Sequence, residues 1–159
     1  MKTFAQHITE VFTTPAKWRV AHSSVDVWEA QFSIDDMDYF CHFISYSNPP
    51  SIYSLEFGIA PETLIRKNMH QTRFKVSDTG HAFQVFATVY DALLHFIKER
   101  EPMRVDFEAD EHEPSRVKLY NHFVKAMNIP GYKAVKSGPN EYWINRMIPR
   151  TIKAKPNSW

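Results

Sequence analysis

From Ala82 to Ile97 the apolar residues recur at helical spacing. Ala82, Phe83, Val85, Phe86, Val89, Tyr90, Leu93, Leu94, Phe96 and Ile97 make one broad face, with Gln84, Thr88, Asp91, His95 and Lys98 on the other. Burying about eight large side chains of this face is worth roughly 1.5–3 kcal/mol each. The rest of the chain must therefore supply a surface for this helix to lie on. Asp78 or Thr79 is expected to cap its start, and Pro102 follows its end.

That surface is expected from strands, because the N-terminal half changes to period 2. In Val27–Ile34 the residues Trp28, Ala30, Phe32 and Ile34 alternate with Glu29, Gln31 and Ser33, and Asp35 with Asp36 supplies a turn. Residues 37–47 and 52–59 read as two further strands divided by Asn48, Pro49 and Pro50. After Pro61 a polar stretch with Arg66, Lys67, Asn68, His70 and Gln71 is expected to form a surface loop, and residues 73–76 a short strand.

Residues 103–107 read as another strand. Pro114 and Ser115 open a second helix reaching about Met127, with Val117, Leu119, Tyr120, Phe123, Val124 and Met127 apolar and Lys118, Asn121, His122 and Lys125 outside. Gly131 breaks it, and residues 132–135 and 141–147 read as a closing hairpin. The expected fold class is α/β (α+β): an N-terminal antiparallel meander, then helix, strand, helix and hairpin, forming a mixed sheet with helices packed on it.

A chain of 159 residues is of single-domain size. The organisation expected is a short amphipathic segment over 1–14, carrying Phe4, Ile8 and Val11 or Phe12 at helical spacing, one domain over 15–148, and a basic tail over 149–159. A formal charge of +1 does not mark a dedicated polyanion binder. The basic tail, with Arg150, Lys153 and Lys155, is expected to make at most weak, salt-sensitive contact with DNA.

Cys41 is the single cysteine, which rules out an internal disulfide and reads as a buried thiol in a reducing compartment. No apolar run approaches the roughly 20 residues a membrane span needs, and the first residues lack the apolar stretch of a secretory signal. The histidines lack the His-x-x-x-His spacing of a metal pair, and Gly-x-Ser-x-Gly and P-loop patterns are missing, so neither zinc nor a hydrolase elbow is expected.

The stretch Ser77-Asp78-Thr79-Gly80-His81-Ala82, lying between a strand and the long helix, resembles the Gln/Arg-x-x-Gly-x-Gly/Ala turn of the GNAT-type N-acetyltransferase family. Ser115 to Tyr120 with Gly131-Tyr132 behind is similar to that family's Asn-x-x-Ala-x-x-Leu-Tyr and Gly-Phe/Tyr, and the order of elements from Arg73 onward also matches. The resemblance implies an acetyl-CoA pyrophosphate held by the backbone at Gly80, His81 and Ala82, where the helix dipole favours an anion. It also implies Tyr120 as the acid that protonates the departing thiolate. The base for the amine would then come from residues 55–58 or 106–110, with Glu56 and Glu108 as the candidates. Ser77 departs from the family's Gln or Arg. Asp78 brings a negative charge to the phosphate position and is expected to engage the helix amides itself, leaving a scaffold without its coenzyme.

The first ten residues, Met1-Lys2-Thr3-Phe4-Ala5-Gln6-His7-Ile8-Thr9-Glu10, are similar to the capsid-targeting peptide of internal head proteins in T-even-type tailed phages, which a maturation protease cuts after Glu, here Glu10. Together the two resemblances imply a phage virion or head-associated structural protein on a degenerate acetyltransferase-like scaffold. Such a protein would be made in the host cytoplasm and carried into the particle with other virion proteins as partners. The alternatives are an active acetyl-CoA-dependent N-acetyltransferase and a small host-takeover or anti-defence protein that works by binding.

Overall fold

The computed structural model describes residues 14–68, 81–109 and 114–147. The elements in chain order are β1 (Trp18–Ser23), β2 (Val27–Ile34), β3 (Met37–Ser45), β4 (Ile52–Ile59), α1 (Pro61–Arg66), α2 (Ala82–Arg100), β5 (Arg104–Glu108), α3 (Pro114–Ala126), β6 (Tyr132–Lys136) and β7 (Glu141–Arg146). The chain is α/β, with one seven-stranded mixed sheet in the order β1-β2-β3-β4-β5-β7-β6. Every neighbouring pair is antiparallel except β4 with β5, which are parallel and joined through α1 and α2.

Alternation along the strands decides which face is buried. Trp28, Ala30, Phe32 and Ile34 of β2 point to the same side as Met37, Tyr39, Cys41 and Phe43 of β3, Tyr53 and Leu55 of β4, Val105 and Phe107 of β5, and Tyr142 and Ile144 of β7. Against this inner face lies α2, through Val85, Phe86, Val89, Leu93, Phe96 and Ile97. Phe96 is its anchor, stacked 4.1 Å from Phe43 and in edge contact with Tyr53 at 4.9 Å. Glu101 closes the helix in a left-handed conformation (φ 46°), its N–H donating to Ile97 O.

Two residues placed outward on the helices by their spacing face inward instead, and β1 was not expected at all. Thr88, expected on the outer side of α2, is fully buried: its hydroxyl accepts from Ala16 N at 2.9 Å and donates to Gln84 O at 2.7 Å. The segment entering β1 crosses the helix there, and Trp18 Nε1 donates to Asp91 at 2.8 Å. Asn121, expected outside on α3, accepts a 2.7 Å bond from the hydroxyl of the buried Tyr142.

The stretch after Pro61, expected as a loop, opens with α1, a single short helix with Pro61 in its first turn and Thr63 and Leu64 buried. Thr63 Oγ1 meets both the backbone N–H and the carboxylate of Asp38, while Arg66 and Lys67 reach Asp36 in the β2–β3 turn. The Lys67 ammonium holds the Asp36 carboxyl below its ordinary value. Residues 73–76, expected as a strand, and the expected caps Asp78 and Thr79 lie outside the described residues. His81, the residue before α2, makes no side-chain cap.

Candidate active site

The parallel seam between β4 and β5 is short. Ile52 pairs with Arg104, Tyr53 with Val105 and Ser54 with Asp106, and there the pairing stops. Both strands continue, β4 to Ile59 and β5 to Glu108. Each is held from its other side: β4 stays on β3 as far as Ile59 with Tyr39, and β5 stays on β7 as far as Glu108 with Glu141. The sheet therefore parts beyond Ser54 and Asp106. Its two lips are residues 55–59 and 107–108, and among the described residues their facing backbone edges do not pair with each other. Backbone donors and acceptors on such edges are a template for an extended ligand that carries amides of its own.

On the inner side of the parting lies Tyr120 of α3, 5 % exposed. Its ring centroid is 6.1 Å from Phe57 on one lip and 5.7 Å from Phe107 on the other, with Phe86 of α2 at 5.3 Å and Tyr142 at 6.0 Å. Phe107 and Tyr142 stack at 5.1 Å. Burial raises the Tyr142 hydroxyl above its ordinary pKa.

The outer side is polar. Glu56, one residue before Phe57, turns outward with a side chain 66 % exposed and accepts a 2.9 Å hydrogen bond from His42 Nε2. The other ring nitrogen of His42 lies 3.9 Å from Glu29. The three side chains sit on adjacent strands in strict register, Glu29 opposite His42 and His42 opposite Glu56. Across the parting, Glu108 and Glu141 are partners on β5 and β7.

At the closed end of the parting, Asp106 accepts a hydrogen bond from the Tyr46 hydroxyl, which in turn accepts from Arg104 Nη2 at 3.0 Å. The Arg104 guanidinium lies 4.1 Å above the ring of Trp143, whose Nε1 donates to Glu141 at 2.8 Å. Burial raises the Asp106 carboxyl, outweighing the Tyr46 hydrogen bond and the Arg104 charge that pull it down. Burial likewise raises the Tyr46 hydroxyl, with the Asp106 hydrogen bond acting in the same direction.

The residues singled out in the sequence are thus distributed unevenly. Tyr120 and Glu56 meet the same parting from its two sides. Glu108 ends the opposite lip and is exposed. His81 and Ala82 open α2, but the His81 ring is already engaged: Nδ1 is 2.8 Å from the Tyr39 hydroxyl and Nε2 is 2.9 Å from Asp35. Gly80 and Glu10 lie outside the described residues. Sequence reading named Asp106 only as the start of the 106–110 range, and it missed His42, Glu29 and the Tyr46, Arg104 and Trp143 that surround Asp106. The alternation put these strand residues on outward positions, yet only the pairing register brings them together.

Cys41 is fully buried, and burial pushes its thiol far above the ordinary range. Among the described residues no group of three or more His, Cys, Asp or Glu is placed to hold a metal ion, and no helix is long and apolar enough to cross a membrane. No family model matches the chain, nor does any curated protein or solved structure.

Proposed function

We propose that the chain is an acetyl-CoA-dependent N-acetyltransferase domain of the GNAT type resembled by its turn and Leu-Tyr motifs. The observation that carries this reading is the parting of β4 from β5 with Tyr120 on its inner side and Glu56 on its outer side. The pantetheine arm of coenzyme A is an extended chain with two amides, the kind of ligand that unpaired strand edges accept. A thioester laid through the parting meets Tyr120 from one side. An amine arriving from the other meets Glu56.

The chemistry then follows from those positions. Glu56 takes one proton from the acceptor's ammonium and passes it to solvent, the freed lone pair attacks the thioester carbon, and as the C–S bond breaks the nitrogen gives up its second proton to solvent to leave the neutral amide. The departing thiolate takes the Tyr120 proton, and the tyrosinate recovers one from solvent. Titration calorimetry with acetyl-CoA tests the coenzyme part. Binding in the micromolar range is expected, and it should be lost in Gly58→Leu. A Cβ at Gly58 would lie in ordinary contact with the Phe40 ring at 3.6 Å, so this variant adds bulk to the β4 lip from an unstrained first atom. Circular dichroism matching the parent would show that the fold survives.

One observation favours a second reading, a scaffold that has lost its coenzyme and serves as a virion or head-associated protein. The His81 ring, at the position the family resemblance gives to the pyrophosphate, is held between Tyr39 and Asp35. On this reading acetyl-CoA does not bind, and mass spectrometry finds the protein in purified phage particles. Its absence from particles would end that role.

A further inference from the structure

We propose that His42 is the positioning residue for the base of this site, holding the exposed Glu56 carboxylate on the β4 lip so that its free oxygen faces an incoming amine. The proposal rests on the acetyltransferase reading and deepens it, by naming a side chain that neither motif contains.

Glu56 by itself is poorly suited to the task. Its side chain is two-thirds exposed, and a carboxylate on a flexible stem samples many rotamers unless something fixes it. His42 supplies the fixing group. It sits on the neighbouring strand directly opposite Glu56, its side chain is only 20 % exposed, and its Nε2 donates to Glu56 Oε2 at 2.9 Å. That bond occupies one carboxylate oxygen and leaves the other, Oε1, for the acceptor.

The imidazole is itself held. Glu29 of β2 lies 3.9 Å from Nδ1, and the Phe40 ring on the same strand lies 5.0 Å from the histidine ring. Glu29 is steadied in turn by Gln31 Nε2 at 3.4 Å, and Arg19 Nη2 donates to Gln31 at 2.7 Å. His22 on β1 is the register partner of Glu29. The charged and titratable groups facing His42 are thus Glu29 from β2 and Glu56 from β4, with His22 and Arg19 beyond Glu29. The order Arg19, Gln31, Glu29, His42, Glu56 crosses four strands and ends at the parting. A support chain of this kind orients a reacting group without touching the substrate.

The test compares full-length protein with its His42→Leu, His42→Gln and Glu29→Gln variants. Acetyl-CoA binding is measured by calorimetry, and thiol release is followed with acetyl-CoA and spermine or a lysine-containing peptide as acceptor. His42→Leu removes the donor at similar volume, so kcat should fall about tenfold to a hundredfold, the usual cost of losing a hydrogen-bonding partner that orients a functional group, while the KM for acetyl-CoA stays within about twofold. Gln keeps a donor, so His42→Gln should recover most of that loss. Glu29→Gln should lose less than His42→Leu. A purely structural role would instead lower kcat and coenzyme affinity together, with no recovery by glutamine.

Unchanged kcat in His42→Leu overturns the proposal while leaving the acetyltransferase reading intact. Coenzyme binding without turnover on either acceptor overturns it as well. Failure of the parent protein to bind acetyl-CoA overturns the acetyltransferase reading itself, and the positioning role with it.

Discussion

At the residue scale the group most exposed to a pH test is Asp106. Burial acts on it most strongly and raises its pKa, and the Glu141 charge adds to the rise; the Tyr46 hydroxyl and the Arg104 guanidinium oppose both. The folded chain therefore binds this proton more tightly than the unfolded chain. Such a contribution to stability is complete below the ordinary carboxylate pKa and is lost as pH rises through the folded value. Asp106→Asn keeps an oxygen for the Tyr46 hydroxyl but removes the titration. Between about pH 4 and pH 7 its stability relative to the parent should thus improve as pH rises from the ordinary carboxylate value of about 4 and level off once pH passes the folded value. Urea unfolding across that range checks this, and a constant difference at all pH values would refute it. Of the partners of Asp106 only Arg104, two residues earlier on β5, is near it in sequence. The alternation in residues 103–107 shows that Asp106 faces away from Val105 and Phe107, but Tyr46 reaches it from 60 residues away. The carboxylate was visible in the sequence as a candidate position, and its environment was not.

At the element scale, the strongest periodicities were readable and the weakest were not, for physical reasons. β2 alternates strictly and α2 carries an unbroken apolar face, so each states its own geometry. β1 hides because its register shifts between Val20 and His22, which breaks the alternation a reader looks for. α1 hides because six residues give fewer than two turns, too few for a period to declare itself. Thr88 shows the same limit inside a well-read helix, where its spacing assigns it to solvent and the segment entering β1 covers it. Its hydroxyl is the sole partner recorded for the Ala16 N–H among the described residues. Thr88→Val keeps the shape but leaves that amide without its acceptor, a loss of about 1–3 kcal/mol. Thr88→Ser should lose less, because the hydroxyl remains. Phe96→Ala probes the packing of the same helix and should cost about 3–5 kcal/mol, since a ring stacked on Phe43 and touching Tyr53 and Trp28 leaves a cavity that a sheet cannot collapse around. Chemical denaturation measures all three. If Phe96→Ala cost no more than Thr88→Ser, α2 would not be the anchor of this core.

At the scale of the whole molecule the sheet is two ladders joined by a short seam. One ladder runs from β1 to β4 and the other comprises β5, β7 and β6, and among the described residues they are joined within the sheet by three paired positions between β4 and β5 and by the Met103 and Arg104 amides donating to Ser51 O at the closed end. The β3–β4 pairing covers seven positions and the β5–β7 pairing five. Tyr46 bridges the seam at its closed end through Asp106 and Arg104, and beneath the parting the bridge is packing: Tyr120 and Phe86 touch Phe57 on one side, and Tyr120 touches Phe107 on the other. Local stability should follow this division, because amides exchange through the cheapest opening available to them. Beyond Ser54, the β4 amides directed at β5 should exchange at least about tenfold faster than the β4 amides bonded to β3. A ligand laid along the lips should slow them selectively, by supplying the missing acceptors. Hydrogen exchange read by NMR with and without coenzyme A makes the comparison within one strand, so global stability cancels. Equal protection on both edges of β4 without ligand would mean that the seam is closed, and the site built on it would then have no room to exist.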